Sequence, residues 1–266
     1  MRLIRFVDSQ GHTRHGVAAA TDQAYPLSGD LYGEFTIAAE TTQVAQLLAP
    51  VVPTNIYCIG LNYREHAEES GVALPERPLV FMKPTSTLTH PGSPILLPKV
   101  QHDSEVDYEC ELAVVIGKKT SYVSEVDALN HVAGYVLHND VSERSFQLER
   151  SGQWVKGKSC DTFAPIGPFI ATPDEIGDPN NLNLWLKLNG EEMQNSSTSD
   201  FIFNIQQLVS YISQFMSLLP GDIISTGTPF GVGLGLKPPR YLQEGDVIEL
   251  GIEGLGVSKQ TCIAYK

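Results

Sequence analysis

The stretch Val106-Asp107-Tyr108-Glu109-Cys110-Glu111-Leu112-Ala113-Val114-Val115-Ile116-Gly117-Lys118 does most to restrict what this chain can fold into. Leu112 to Ile116 is an apolar run rich in β-branched residues and reads as a buried strand. Side chains alternate along a strand, so Asp107, Glu109 and Glu111 project from one face and Cys110 from the other. Carboxylates held that close repel one another, and burying each unpaired costs on the order of several kcal/mol. A hard divalent cation is the simplest partner that would hold Glu109 and Glu111 side by side. An exposed acidic strand end or a salt-bridged edge is the alternative, and a lone Glu-x-Glu would favour it.

A chain of 266 residues, 42% hydrophobic and 18% charged, has the material for a sizeable core. Its length suits one large β-rich domain, or a large domain with a small appendage. The net charge of −13 repels nucleic acid and anionic membrane surfaces, so neither is an expected partner. No apolar run approaches the roughly 20 residues that span a bilayer, and charges interrupt the apolar residues at the N-terminus, which points to a cytoplasmic protein. The scattered cysteines Cys58, Cys110, Cys160 and Cys262 fit neither a zinc knuckle nor a redox pair, and are expected as reduced thiols.

Leu3 to Asp8 and Gly16 to Ala20 flank a Ser9-Gln10-Gly11 turn and suggest a hairpin. Thr42 to Leu48 has the spacing of a short helix, stopped by Ala49-Pro50. Pro50 to Pro53 marks a boundary between a small β-rich piece, residues 1–52, and the remainder, 53–266. Asn55 to Gly60 reads as a buried strand, after which Asn62 is placed to cap a helix that Gly71 ends. On that helix His66 and Glu69 share a face.

Strands are expected at Leu79–Pro84 and Pro94–Pro98, a helix over Ser124–Val132, and a buried strand from Gly134 that ends in Asp140. Ser142–Arg150 has a helical pattern, and Trp154–Asp161 reads as a polar, basic turn. Leu182–Glu191 alternates into a hairpin signal. Asn204–Met216 is the best amphipathic helix in the chain, and strands with glycine turns follow. In the loop Ser225–Gly233, a hydroxyl and backbone amides could line a pocket for a carboxylate; a plain turn fits equally well.

Five motifs now occur in one order: Asn62-Tyr63 before His66, Tyr108-Glu109-x-Glu111-Leu112, Gly134-Tyr135 leading to Asp140, Lys158-Ser159, and Thr226-Gly227-Thr228-Pro229. Together they resemble the fumarylacetoacetate hydrolase family over residues 55 to 265. The resemblance implies an α+β, mainly β fold: a mixed β-sandwich roll with a small N-terminal β-rich domain. It implies Mg²⁺ or Mn²⁺ held by Glu109, Glu111 and Asp140, and a homodimer. His66 with Glu69 would activate a water, and Lys158 would orient substrate or water. Arg144, Gln147 and Thr228 would line the substrate pocket. Asp107 reads either as a fourth acid near the metal or, the favoured alternative, as a supporting or salt-bridge residue.

The activity so implied is hydrolysis of a C–C bond in acylpyruvates or other 2,4-diketo acids, releasing a carboxylic acid and pyruvate or a related 2-oxo acid. Gly231–Pro239 and Ser196–Asp200 resemble the branch that acts on 2,4-diketo-3-deoxy sugar acids. Oxaloacetate decarboxylation, or isomerisation or decarboxylation of the 2-hydroxymuconate type, is the alternative on the same site, because fold does not determine reaction. A metal-binding module without catalysis is a further alternative, and the presence of His66, Glu69 and Lys158 argues against it.

Overall fold

The structure is a computed structural model that describes all residues except 21 and 101–103. The chain opens with β1 (Arg2–Asp8), β2 (Thr13–Ala18), β3 (Gln23–Gly29), β4 (Phe35–Ile37) and β5 (Thr42–Leu48). It continues with β6 (Ile56–Gly60), α1 (Arg64–Glu69), β7 (Leu79–Lys83), β8 (Leu88–Thr89), β9 (Ile95–Leu97), β10 (Val106–Asp107), β11 (Cys110–Ile116) and β12 (Val132–Asn139). Then come β13 (Ser142–Glu143), α2 (Arg144–Leu148), α3 (Val155–Lys158), β14 (Ala164–Pro165), β15 (Ile170–Ala171) and α4 (Pro173–Ile176). The last elements are β16 (Asn183–Leu188), β17 (Glu191–Ser197), α5 (Ile205–Ser213), β18 (Ile223–Ser225), β19 (Val247–Ile252) and β20 (Gly256–Ala264).

Most of these strands form a mixed sheet in the order β2-β3-β5-β1-β15-β12-β11-β18-β6-β7, with β4 added on β3, and a second sheet in the order β17-β16-β19-β20-β9; β10 pairs with β13 and β8 with β14 separately. The fold is thus mainly β with a few short helices. Every residue of β11 is buried, and the two faces of the strand serve different cores. Cys110, Leu112, Val114 and Ile116 pack into a large core shared with Leu184, Leu186, Ile248 and Leu250 of the second sheet. Ala113 and Val115 join Leu3, Val51, Val136, Ile166 and Ile223 in a smaller core on the opposite face. Burial on both sides explains why this strand is continuously apolar beyond Glu111. The strands before Pro50 connect to the rest through the antiparallel pairing of β1 with β15, so the large sheet runs through both parts of the chain.

Several local expectations change. Thr42–Leu48 is a strand between β1 and β3, not a helix. The ladder with β1 shifts register at Val7/Asp8, pairing Val7 with Gln46 and Asp8 with Val44. This bulge spaces Val44, Leu47 and Leu48 like a helix face within an extended strand. Ser124–Val132 contains one 3₁₀ turn, Ala128–His131, before β12 begins. Ser142–Arg150 divides into β13, which pairs with β10, and the short α2. The basic turn at Trp154–Asp161 contains the single helical turn α3. Other elements stand where expected: the β1–β2 hairpin, the β16–β17 hairpin, and α5 with a capping box between Asn204 and Gln207.

Asn62 does not cap α1, which starts after Tyr63 without a side-chain cap. Its buried amide instead donates to the carbonyls of Phe203 (3.1 Å) and Thr226 (2.8 Å), and accepts from the Phe203 N–H (2.9 Å). One side chain thus binds the start of α1 to the approach of α5 and to the loop after β18. Asn62→Ala leaves these backbone groups without a partner in a dry environment. It is expected to lower stability by about 2–3 kcal/mol, measured as a fall in the urea midpoint at unchanged slope.

Candidate active site

The carboxylates gather where β11 and β12 begin and end. Cys110 pairs with Asn139 and Glu111 with His138, so Glu109 and Asp140 lie just beyond the paired residues at the same end. Acceptor oxygens of Glu109, Glu111 and Asp140 all lie within 4.8 Å of one another, and all three residues are buried. Lys158 reaches them from α3, donating from Nζ to Glu109 Oε2 (2.6 Å) and Asp140 Oδ2 (2.8 Å). Gly157 allows that approach. A Cβ there would stand 2.3 Å from the carbonyl oxygen of Glu143, so only glycine lets α3 lie against α2.

Two further cations complete the cluster. Lys83, at the end of β7, donates to Asp140 Oδ1 (2.5 Å) and to the Val141 carbonyl (3.0 Å). Arg144, at the start of α2, holds Asp107 Oδ2 through Nη2 (2.8 Å) and Nε (2.9 Å), and Glu109 Oε1 through Nη1 (2.8 Å). Asp107 is therefore an ion-pair partner of Arg144.

Four buried carboxylates thus face three buried cations, and Glu111 is the carboxylate with no direct cation among the described residues. Glu111 accepts instead from neutral donors, the Ser225 hydroxyl and the Gly227 N–H. Burial, then the Asp140 and Glu109 charges, push its carboxyl well above the usual carboxylate range. Asp140 moves the other way. Burial opposes its ionisation, but the nearby Lys158 and Lys83 ammoniums outweigh burial and hold its carboxyl below the usual range. Burial lowers the basicity of Lys158 and Arg144, and the carboxylates around each outweigh it, so both remain firmly cationic.

A cavity of about 590 Å³ opens above this cluster. Eight of the nine candidate residues line it: His66, Glu69, Glu109, Glu111, Arg144, Gln147, Lys158 and Thr228. Asp140 stands behind them, reached through Lys158. His66 Nδ1 lies 3.0 Å from Glu69 Oε2, one turn along α1. Glu69 Oε1 accepts from the Gly231 N–H (3.0 Å). Burial raises the Glu69 carboxyl, but the bonds from His66 and Gly231 prevail and leave it below its ordinary value. The remaining wall is mostly apolar, with Ile59, Phe81, Leu148, Trp154, Leu234 and Leu236, and carries Ser70 and Lys237 as its polar members.

The Ser225–Gly233 loop differs from its expectation. Its amides are occupied by the protein's own carboxylates: Gly227 by Glu111, Gly231 by Glu69, and Gly233 by Asp107. Thr228 faces the cavity while its hydroxyl accepts from Gln194 Nε2 (2.8 Å) and donates to the Cys110 carbonyl (3.2 Å). Lys83, His138 and Ser225 also belong to the cluster and are not among the nine candidates from the sequence. For Lys83 a signal existed, since strand alternation puts it on the same face as Phe81, which lines the cavity.

The donor set fits a hard divalent cation: three carboxylates, oxygen ligands only, buried and convergent, one of them lacking a countercharge.

Residues 55–263 match the family profile described as fumarylacetoacetate (FAA) hydrolase C-terminal. The chain is 46% identical to a 2,4-didehydro-3-deoxy-L-rhamnonate hydrolase of Sphingomonas sp. (strain SKA58), the alignment covering 98% of this chain and 95% of that protein. Among solved structures, a fumarylacetoacetate hydrolase from Exiguobacterium antarcticum superposes with a TM-score of 0.86 at 35% identity, over the full length of both chains. A 5-carboxymethyl-2-hydroxymuconate delta-isomerase from Mycobacterium smegmatis superposes at 0.87 and 34%, again over both full lengths.

The charge network gives a stability test independent of turnover. Lys83→Met removes one of the two ammoniums that hold Asp140 and leaves a buried charge under-compensated. It is expected to cost about 3–5 kcal/mol, read from urea denaturation at neutral pH; a loss below 1 kcal/mol would show that Lys158 alone suffices.

Proposed function

The chain belongs to the fumarylacetoacetate hydrolase family, and on that premise we propose that it is a metal-dependent hydrolase that cleaves a C–C bond in 2,4-diketo acids. The substrates we favour are 2,4-diketo-3-deoxy sugar acids and related acylpyruvates. The observation that carries this reading is the convergence of two devices on one cavity. The Glu109, Glu111 and Asp140 oxygens provide a cation site, and the His66–Glu69 pair stands apart from it without sharing a ligand. The relative active on a didehydro-deoxy sugar acid supports the substrate class.

When bound, Mg²⁺ or Mn²⁺ supplies Lewis acidity to the 2-oxo acid end of the substrate, stabilising negative charge there by several kcal/mol on the order expected for such ions. The chain's own groups do the rest. Gln147 uses its amide oxygen to accept from Arg144 Nη1 (2.9 Å), which leaves its NH₂ to donate to the substrate carboxylate. Lys158, held by Glu109 and Asp140, adds positive charge beside the developing enolate. His66 donates from Nδ1 to Glu69, which leaves Nε2 as the free base for a water entering the cavity that His66 lines. His66 takes a proton as the water oxygen adds to C4. The C3–C4 bond then breaks, its electron pair passes to C3 as the enolate of a 2-oxo acid, and C4 leaves as a carboxylic acid. The enolate gains a proton at C3.

The same proposal includes a small N-terminal β-rich domain over 1–52, a catalytic domain over 53–266, a cytoplasmic location and a homodimer. No helix among the described residues is long and apolar enough to cross a membrane.

The reaction is tested by incubating the Mn²⁺-loaded protein with acylpyruvates, 2,4-diketo-3-deoxy sugar acids, oxaloacetate and 2-hydroxymuconate-type dioates, and identifying products by NMR. Hydrolysis yields two acids; a shifted double bond with no cleavage, or release of CO₂ alone, would instead establish isomerase or decarboxylase chemistry. EDTA is expected to abolish turnover, and Mg²⁺ or Mn²⁺ to restore it. Full activity in chelated protein would overturn the metal assignment.

The dyad generates a separate expectation. His66→Ala should lower kcat by roughly 10²–10⁴ while metal content stays unchanged. Glu69→Gln should also be impaired, because an amide cannot balance the imidazolium. The two losses should not add in the double variant. Kinetics with metal content from elemental analysis decides this, and additive losses or a metal-free His66→Ala protein would remove the dyad from the mechanism.

A further inference from the structure

Glu111 differs from its two companions in what stands behind it. Both oxygens of Glu109 and of Asp140 are engaged by cationic side chains, whereas Glu111 is held by neutral donors through one oxygen alone. Ser225, on β18, directs its hydroxyl to Glu111 Oε2, and the Gly227 N–H donates to the same oxygen at 3.1 Å. No described residue hydrogen-bonds Oε1, and Glu111 borders the cavity. Behind Ser225 lies His138, fully buried on β12 and paired in register with Glu111, with Nδ1 2.6 Å from the Ser225 oxygen.

The hydrogen-bond inventory settles the direction of this chain. With a divalent cation bound, Glu111 is ionised and can only accept, so the Ser225 proton then points at Glu111. The serine then has no proton for the ring, and His138 must donate from Nδ1 to the serine oxygen. Its Nε2 is left as an acceptor, and that atom is buried with no partner among the described residues. The imidazole is therefore committed to one tautomer by a neighbour that is itself committed to Glu111.

We propose that His138 and Ser225 are positioning residues, a two-step relay that orients the Glu111 carboxylate so that Oε1 faces the cation site and sets metal affinity. The inference rests on the metal reading above. Its physical basis is that groups hydrogen-bonded behind a ligand fix its rotamer, and their loss typically lowers metal affinity by roughly 10–100-fold. Neither residue would contact substrate.

The test is titration calorimetry of Mn²⁺ into chelator-treated full-length protein. Ser225→Ala should weaken binding roughly 10–100-fold, and Ser225→Thr, which keeps the hydroxyl, should restore most of it. His138→Phe preserves ring volume without a donor and should weaken binding. His138→Asn places an amide N–H near the former Nδ1 and should recover much of the loss. Melting in EDTA separates these effects from unfolding, because a purely structural role would lower the melting temperature without the alternation between donor and non-donor variants. In the Mg²⁺-loaded protein, ring ¹⁵N shifts should report a proton on Nδ1 of His138. Wild-type affinity in Ser225→Ala and His138→Phe, or a proton on Nε2, would overturn the relay. If the wild-type protein itself bound no Mn²⁺, the metal reading would fall first and take the relay with it.

Discussion

The organisation of the site depends on enclosing Asp107, Glu109, Glu111 and Asp140 together in the protein interior. Ions taken out of water lose solvation worth several kcal/mol each, on the order that only close countercharges offset. Lys83, Arg144 and Lys158 supply those countercharges from three different elements, β7, α2 and α3. Each must be long enough to cross from its backbone to the carboxylates, and each is buried over its whole length. The requirement propagates outward. Gly157 is needed because α3 must lie against α2, and the last turn of α3 must deliver Lys158. Three carboxylates are neutralised by side chains, and the fourth is left to neutral donors, which is the asymmetry a divalent cation can exploit.

Much of this was legible in the sequence for a specific reason. The β11 run and the Glu-x-Glu pattern are local, and period-two alternation translates directly into which side chains share a face. His66 and Glu69 are likewise local, three residues apart on one helical turn. The family resemblance gathered the remaining candidates, and eight of all nine candidates line one cavity. What escaped depended on tertiary pairing. Lys83 lies 57 residues from Asp140, and His138 is 87 from Ser225. No spacing rule connects residues that meet only because β11 separates β12 from β18 in the sheet.

The misread segments follow the same logic. Thr42–Leu48 has helical spacing of its apolar residues, but a bulge in the ladder with β1 produces that spacing in a strand. Asn62 has the chemistry of a helix cap, yet its amide is used to join three chain segments that are distant in sequence. In both cases a correct local preference was overridden by a partner that local sequence does not reveal.

The loop after β18 divides its labour between backbone and side chains. Its N–H groups hold Glu111, Glu69 and Asp107, whereas Val232, Leu234 and Leu236 face the cavity. Gly231 and Gly233 are confined, since a Cβ would stand 1.9 Å from the Met193 carbonyl oxygen or 2.2 Å from that of Arg240. Leu234 and Leu236, which are partly exposed, are under no such restriction. Evolution can therefore recut the wall that meets the substrate's far end while the carboxylates stay anchored to the same amides. Divergence among descendants of such a scaffold would then accumulate first in what they accept, and last in how they hold it.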